Sequence, residues 1–155
     1  MRVLGIDPGN YKTGFSILEI SKKEFRLLAS GVITAKKKPE NLKVICDGLE
    51  EIILKYNPEE LALESSFFGK NPQSLIRLGE VRGIILYTSV KHNLQLFEYT
   101  PQQVKNAITG YGWADKDKVL ENVKSIFNVN ISSKDEADAI AVSFCHFVRR
   151  YKNGV

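Results

Sequence analysis

The sequence predicts an α/β fold: a mixed five-stranded sheet with helices on both faces. Three observations carry that prediction. The first 35 residues are almost entirely short apolar runs rich in β-branched and aromatic residues, joined by brief polar links. From Pro39 onward the apolar period lengthens to that of helices, and ELALE and LQLFEYT sit as strand-length runs between helix-length segments. After LQLFEYT only helical periodicity remains.

Each element follows in order. VLGI (Val3 to Ile6) is an apolar run closed by a turn signal, hence a buried strand. TGFSILEI and FRLLASGVITA are two more strands linked by the polar turn SKKE, so the three form an antiparallel meander. The triplet Lys36, Lys37, Lys38 reads as a solvated loop. Leu42, Ile45, Leu49, Ile52 and Ile53 recur at helical spacing between Pro39 and Pro58. ELALE is the fourth strand and ends on Glu64. NPQSLIRLGEVRGIILYTSVKHN is a long helix, and LQLFEYT is the fifth strand. PQQVKNAI, DKDKVLENVKSIF and SKDEADAIAVSFCHFVRRY are helices. The order is βββαβαβ followed by helices. The later strand–helix–strand steps require parallel pairing. No repeat, low-complexity tract or linker interrupts the chain, so residues 1–155 are expected to form one domain.

Composition narrows the function. A 43% hydrophobic fraction suits an ordinary globular core rather than a disordered chain. Net charge +4 and a pI near 9.0 lean mildly toward polyanionic partners. Cys46 and Cys145 form no CxxC pair, which argues against a zinc site or a disulfide scaffold. MRVLGID meets Asp7 too early for a signal peptide, and no window approaches a membrane span. The expectation is a cytoplasmic protein with no membrane contact.

The acids carry the chemistry. In GIDPGNYKTG, Asp7 ends the first strand at a corner of Pro and Gly. Such a corner either holds a metal ion by its carboxylate or cradles a nucleotide phosphate on its backbone. Pro8 and Gly9 turn the chain sharply away from the carboxylate. Glu64 ends the fourth strand. If strands one and four are parallel neighbours, both carboxylates reach the same sheet edge. In the last helix Ser133 and Glu136 match a capping box, and Asp135 and Asp138 share a face three residues apart. A packed stripe of Ala137, Ile140, Ala141, Phe144, Phe147 and Val148 lies elsewhere on that helix. The acids thus project from the other side, beside Val142, Cys145 and His146. His146 reads as packing rather than catalysis. Asp7, Glu64, Asp135 and Asp138 could form one cluster needing neutralisation. The all-oxygen set suits Mg2+ or Mn2+, and two ions ~3.5–4 Å apart would drive phosphodiester cleavage.

Substrate contacts are sought around these acids. Phe67 and Phe68 follow Glu64 in a loop; an exposed Phe there stacks on a base or else staples onto the next helix. Lys70, Lys105, Lys116 and Lys118 fall in or beside loops and helix starts. They either solubilise or bind phosphates. Gly110 and Gly112 would permit close approach of a ligand to backbone. Gly79 and Gly83 share a face of the long helix, each costing about 1 kcal/mol there. Close approach of another helix would explain them. With Leu75, Leu78, Ile85 and Leu86 they point to a symmetric dimer.

Four segments together resemble the RuvC family of Holliday-junction resolvases, within the ribonuclease H-like nucleases. They are RVLGIDPGNYKTGF, ALESSFFGKNPQSLIRLGEVRG, FEYTPQQVKNAITGYGWADKDKV and DEADAIAVSFCH. They occur in family order and span nearly the whole chain. The resemblance implies that the family's four carboxylates are Asp7, Glu64, Asp135 and Asp138. It implies that the junction-contacting aromatic is Phe67 and that basic positions are Lys105 and Lys116. It further implies a homodimer, two Mg2+ per site, symmetric nicking of four-way DNA junctions, and branch-migration proteins as partners. The competing reading is a sugar or acyl kinase of the actin and hexokinase type, which also opens with strand, Asp, Gly and a glycine-bearing turn. That fold needs two such domains, and 155 residues supply one.

Overall fold

The computed structural model describes residues 1–65 and 71–152. Three strands open it: β1 (Arg2–Asp7), β2 (Lys12–Ser21) and β3 (Glu24–Thr34). Helix α1 (Glu40–Tyr56), strand β4 (Glu60–Glu64), helix α2 (Pro72–Lys91) and strand β5 (Gln95–Tyr99) follow. Helices α3 (Pro101–Thr109), α4 (Lys116–Phe127) and α5 (Lys134–Phe147) close the chain, and α5 continues into a π-helical turn over Val148–Lys152.

The sheet order is β3-β2-β1-β4-β5. β1 pairs antiparallel with β2 and β2 with β3, which is the expected meander. β4 pairs parallel with β1 and with β5. The adjacency of strands one and four, on which the convergence of Asp7 and Glu64 depended, is therefore present.

Alternation along β1 and β4 divides the core into two layers. Leu4, Ile6, Leu61 and Leu63 point to one face, where Ile45, Leu49 and Ile53 of α1 and Val81 and Ile85 of α2 cover them. Val3 and Ala62 point to the other, against Ile140, Ala141 and Phe144 of α5 and Val123 of α4. Gly5 of β1 and Gly14 and Ser16 of β2 face α5 on this second side.

Helix α5 departs from the sequence reading. It is not an amphipathic helix with one packed stripe. Every residue from Ala137 to Phe147 is buried, Val142, Cys145 and His146 included. One side of α5 packs on β1 and β2, and the other is covered by α3 and α4. A helix that is apolar nearly all round belongs in the centre of a layer. Two smaller readings also change. Lys36 and Lys37 are exposed, but the Lys38 ammonium is enclosed and lies 5.4 Å from the Tyr11 ring centroid. Ile85 is buried in the core and offers nothing to a partner helix.

Candidate active site

The corner after β1 is tight for its own reasons. A Cβ at Gly9 would lie 2.2 Å from the Lys12 carbonyl oxygen, so the turn itself demands glycine. The Gly9 N–H donates to Thr13 Oγ1 at 3.4 Å, and Thr13 Oγ1 donates back to the Gly9 carbonyl at 3.1 Å. These groups bond to each other rather than facing a phosphate, which favours the carboxylate use of the corner. Asp7 stands directly across from Gly14 in the antiparallel register, and Gly5 across from Ser16.

That register builds a trough for α5. A Cβ at Gly14 would meet the Asp135 carbonyl oxygen at 2.1 Å. One at Gly5 would meet the Ala139 carbonyl oxygen at 2.8 Å and Ser143 Cβ at 2.9 Å. Ser16 Oγ donates to the Ala139 carbonyl at 2.8 Å and lies 2.9 Å from Ser143 Oγ. Strand glycines often mark close backbone approach. Here they let the helix backbone rest on the sheet and carry Asp135 and Asp138 alongside Asp7. Sequence reasoning missed this seat. Its signal was Gly5, Gly14 and Ser16 in the strands opposite small residues four apart in α5.

The start of α5 is fixed as well. Ser133 Oγ accepts the Glu136 N–H at 3.2 Å, the expected N-cap. The reciprocal half of the box is absent: the Glu136 carboxylate instead accepts Ser30 Oγ–H at 2.6 Å, tying α5 to β3. Lys134 pairs with Asp117 at 2.9 Å, tying it to α4.

All four acids line one cavity of about 320 Å³. Lys105 and Lys116 line it too, as do two cations that sequence reasoning did not select, Lys12 and Arg82. Arg82 of α2 pairs with Glu98 of β5, whose other oxygen accepts Ser65 Oγ–H at 3.3 Å. The signal for Lys12 was its place just past the acidic corner. Arg82 had no signal, because its reach depends on how α2 lies against β5. Lys118 is elsewhere: its ammonium is 3.8 Å from Glu121 Oε2 on the exposed side of α4. Phe67, Phe68 and Lys70 fall outside the described residues. Gly110 is explained without a ligand. It ends α3 in the left-handed conformation at φ 81°, a common helix stop.

The electrostatics show the strain of the cluster. Burial, then the charges of Glu64 and Asp138, push the Asp7 carboxyl well above its ordinary range. Burial and Asp138 raise Glu64 to about 7. Burial raises Asp138 as well, although Lys116 opposes the shift. Lys116 Nζ donates to Asp138 Oδ2 at 2.6 Å. Burial works against the Lys116 charge, but the Asp138 hydrogen bond and the nearby Asp7 and Glu64 hold its pKa up.

His146 does not reach this cluster. It is fully buried, 2.6 Å from Tyr99 Oη through Nδ1 and 2.8 Å from Glu60 Oε1 through Nε2. Glu60 begins β4 at the end opposite Glu64. Burial lowers the His146 pKa, so a neutral ring donates to Glu60 and accepts from Tyr99. The packing reading of His146 holds.

Relatives agree with this geometry. The family model for crossover junction endodeoxyribonuclease RuvC matches residues 3–146. The enzyme of that name from Caldicellulosiruptor saccharolyticus is 44% identical over 154 residues, covering 96% of this chain and 93% of that protein. Its counterpart from Halothermothrix orenii is 41% identical over 151 residues, 94% of this chain and 92% of that protein. Among solved structures, Thermus thermophilus RuvC in complex with a Holliday junction substrate superimposes with a TM-score of 0.86 at 28% identity, over 97% of this chain and 95% of that one. With its mixed five-stranded, ribonuclease H-like sheet, the chain belongs to the RuvC family of crossover junction endodeoxyribonucleases.

Proposed function

We propose that this chain resolves four-way DNA junctions by hydrolysing phosphodiester bonds at the acidic cavity, with Mg2+ or Mn2+ held by Asp7, Glu64, Asp135 and Asp138. One observation carries the reading: carboxylates from β1, β4 and α5 line a single cavity walled by lysines. An all-oxygen donor set fits a hard cation. The raised carboxyl pKa values fit as well, since a cation relieves the repulsion that raises them. Among the described residues no three such side chains yet stand together as a closed ligand group. Lys116 occupies Asp138 and has to yield to a cation. Two such ions, when bound, supply Lewis-acid polarisation of the phosphoryl oxygens and a more acidic water.

The chain's own residues do the rest. Lys105, Lys116 and Lys12 present ammonium groups to the phosphate backbone around the acids. Glu98 fixes Arg82 on the α2 wall of the same cavity. Phe67 and Phe68 keep their sequence-based assignment as aromatic contacts after Glu64, and Lys70 and Lys118 as phosphate contacts.

The active form is a homodimer acting in the cytoplasm beside branch-migration proteins. An exposed apolar stripe on α2 supports the dimer: Ile76, Tyr87 and Val90 are 67%, 61% and 75% exposed. A Cβ added at Gly79 or Gly83 would meet nothing within 4 Å, so a second helix has room to approach there. Two sites related by a twofold axis match the near-twofold symmetry of a four-way junction. None of the described helices is long and apolar enough to cross a membrane.

The test is a synthetic four-way junction incubated with protein and Mg2+, with nick positions mapped. Paired nicks placed symmetrically about the crossover are expected. Asp7→Asn should bind the junction and leave it intact. Cleavage by that variant at the wild-type rate removes Asp7 from the metal site; a wild-type protein that leaves junctions uncut removes the reading.

A further inference from the structure

A single exposed aromatic is ordinary, but two on one short turn make a local apolar surface. Tyr111 and Trp113 are 60% and 70% exposed, and both stand in the short connection between α3 and α4. This connection is held firmly. Thr109 Oγ1 accepts the Tyr111 N–H at 3.0 Å and donates to the Lys105 carbonyl at 2.7 Å. The Ala114 N–H closes a turn onto the Tyr111 carbonyl at 3.2 Å. Gly110 caps α3, and the Asp115 carboxylate caps α4 by accepting the Lys118 N–H at 2.8 Å. A Cβ at Gly112 would lie 3.3 Å from the Gln102 carbonyl oxygen, so the turn rests on the first residues of α3. Ala114 is buried and pins the far side.

The placement matters as much as the rigidity. The two helices that hold the turn supply Lys105 and Lys116, which line the acidic cavity. Lys118, turned away from that cavity, lies on the first turn of α4, five residues after Trp113, with a side chain 58% exposed. Aromatic side chains on a held backbone near ammonium groups are a recurring arrangement for unpaired bases: the lysines hold the phosphate backbone and the rings stack on the bases.

We infer that Tyr111 and Trp113 form a second aromatic platform, on the α3 side of the cavity, that stacks on DNA bases unstacked near the junction crossover. It rests on the junction-cleaving function proposed above and adds a contact independent of Phe67. Because the backbone that carries the rings is already held, little of it has to order on binding. Base stacking is sequence-tolerant, so the platform holds the junction open without choosing the bases.

Trp113 is the only tryptophan in the chain, so its fluorescence reports this site alone. Wild-type protein is titrated in EDTA with a four-way junction and, separately, with a linear duplex of the same arm sequence. Saturating quenching by the junction and a clearly smaller response to the duplex are expected. Trp113→Ala should weaken junction binding by about 5- to 100-fold, Tyr111→Ala by less, and Trp113→Phe should recover most of the loss. Circular dichroism confirms that the exposed-site variants fold. Unchanged fluorescence, or Trp113→Ala binding the junction as tightly as wild type, overturns the platform. If that happens while wild type still nicks junctions symmetrically, the platform fails and the nuclease reading stands. A wild-type protein that neither binds nor nicks a junction overturns both.

Discussion

Gly14→Ala tests the seat of α5 directly. The added methyl would sit 2.1 Å from the Asp135 carbonyl oxygen and 2.8 Å from its carbonyl carbon. A comfortable carbon–oxygen contact is more than an ångström longer, and neither atom belongs to a flexible side chain. The helix start or the strand must therefore move by about 1 Å. Ser133 and Glu136 anchor the same turn from outside, so the strain is not shed by fraying alone. Overpacking of this kind costs about 1–3 kcal/mol, which for a chain this long lowers Tm by roughly 2–12 °C.

The larger effect falls on catalysis. Asp135 and Asp138 ride on the displaced turn, while Asp7 stays on β1. Misplacing catalytic groups by about 1 Å costs on the order of 100-fold in rate. Single-turnover cleavage of a four-way junction in saturating Mg2+ should fall by about that factor at a temperature where the variant is folded. Junction affinity in EDTA should change less than about threefold, since the lysines of α3 and α4 are not on the moved segment. A variant with wild-type Tm and wild-type single-turnover rate refutes the argument that Gly14 sets the position of the two α5 acids.

Three further outcomes are expected. Glu64 ionises near 7 in the folded protein instead of 4.5, so its contribution is complete below about pH 4.5 and is lost as pH rises toward 7, a difference of roughly 3 kcal/mol. Glu64→Gln should therefore exceed wild type in Tm in EDTA at pH 8 but not at pH 4.5, and a pH-independent difference contradicts the reading. His146→Leu breaks the bonds to Glu60 and Tyr99 and should lower stability by about 1–3 kcal/mol while single-turnover cleavage stays within a few fold; a 100-fold loss in folded protein would give His146 a catalytic role. Val90→Asp with Ile76→Asp should yield monomers by sedimentation and abolish paired nicks, and an unchanged sedimentation coefficient places the dimer contact elsewhere.

What the sequence revealed, and what it hid, follows from the range of each interaction. Strand ends, turn residues and helical period are local, so Asp7, Glu64 and the order of elements were legible. The parallel pairing of β4 with β5 was reachable because a strand–helix–strand step has few solutions, whereas β1 and β4 are not joined by one such step and their adjacency stood only as a condition. Helix α5 was misread because periodicity reports only whether a polar face exists. It does not say whether two separate layers cover opposite sides. The bond partners of His146, at residues 60 and 99, are fixed by tertiary packing and leave no local trace. Lys118 was chosen with Lys116 because both open α4. Two residues rotate a helix by about 200°, so one ammonium enters the cavity and the other turns away.

Lys116 shows why this cluster tolerates folding at all. Four carboxylates at one sheet edge repel one another, and burial adds to the repulsion. The Lys116 ammonium reaches across from α4 and bonds Asp138, supplying a positive charge from within the fold. Ser16 holds α5 through a neutral hydrogen bond to the Ala139 carbonyl, and Ser30 holds it through Glu136, an acid that does not line the cavity. The scaffold that positions the acids is thus separate from the charges that use them. Lys116 is the link between the two. It steadies Asp138 while the acids are uncompensated, and its half-exposed side chain leaves it free to turn toward a phosphate when a cation takes its place.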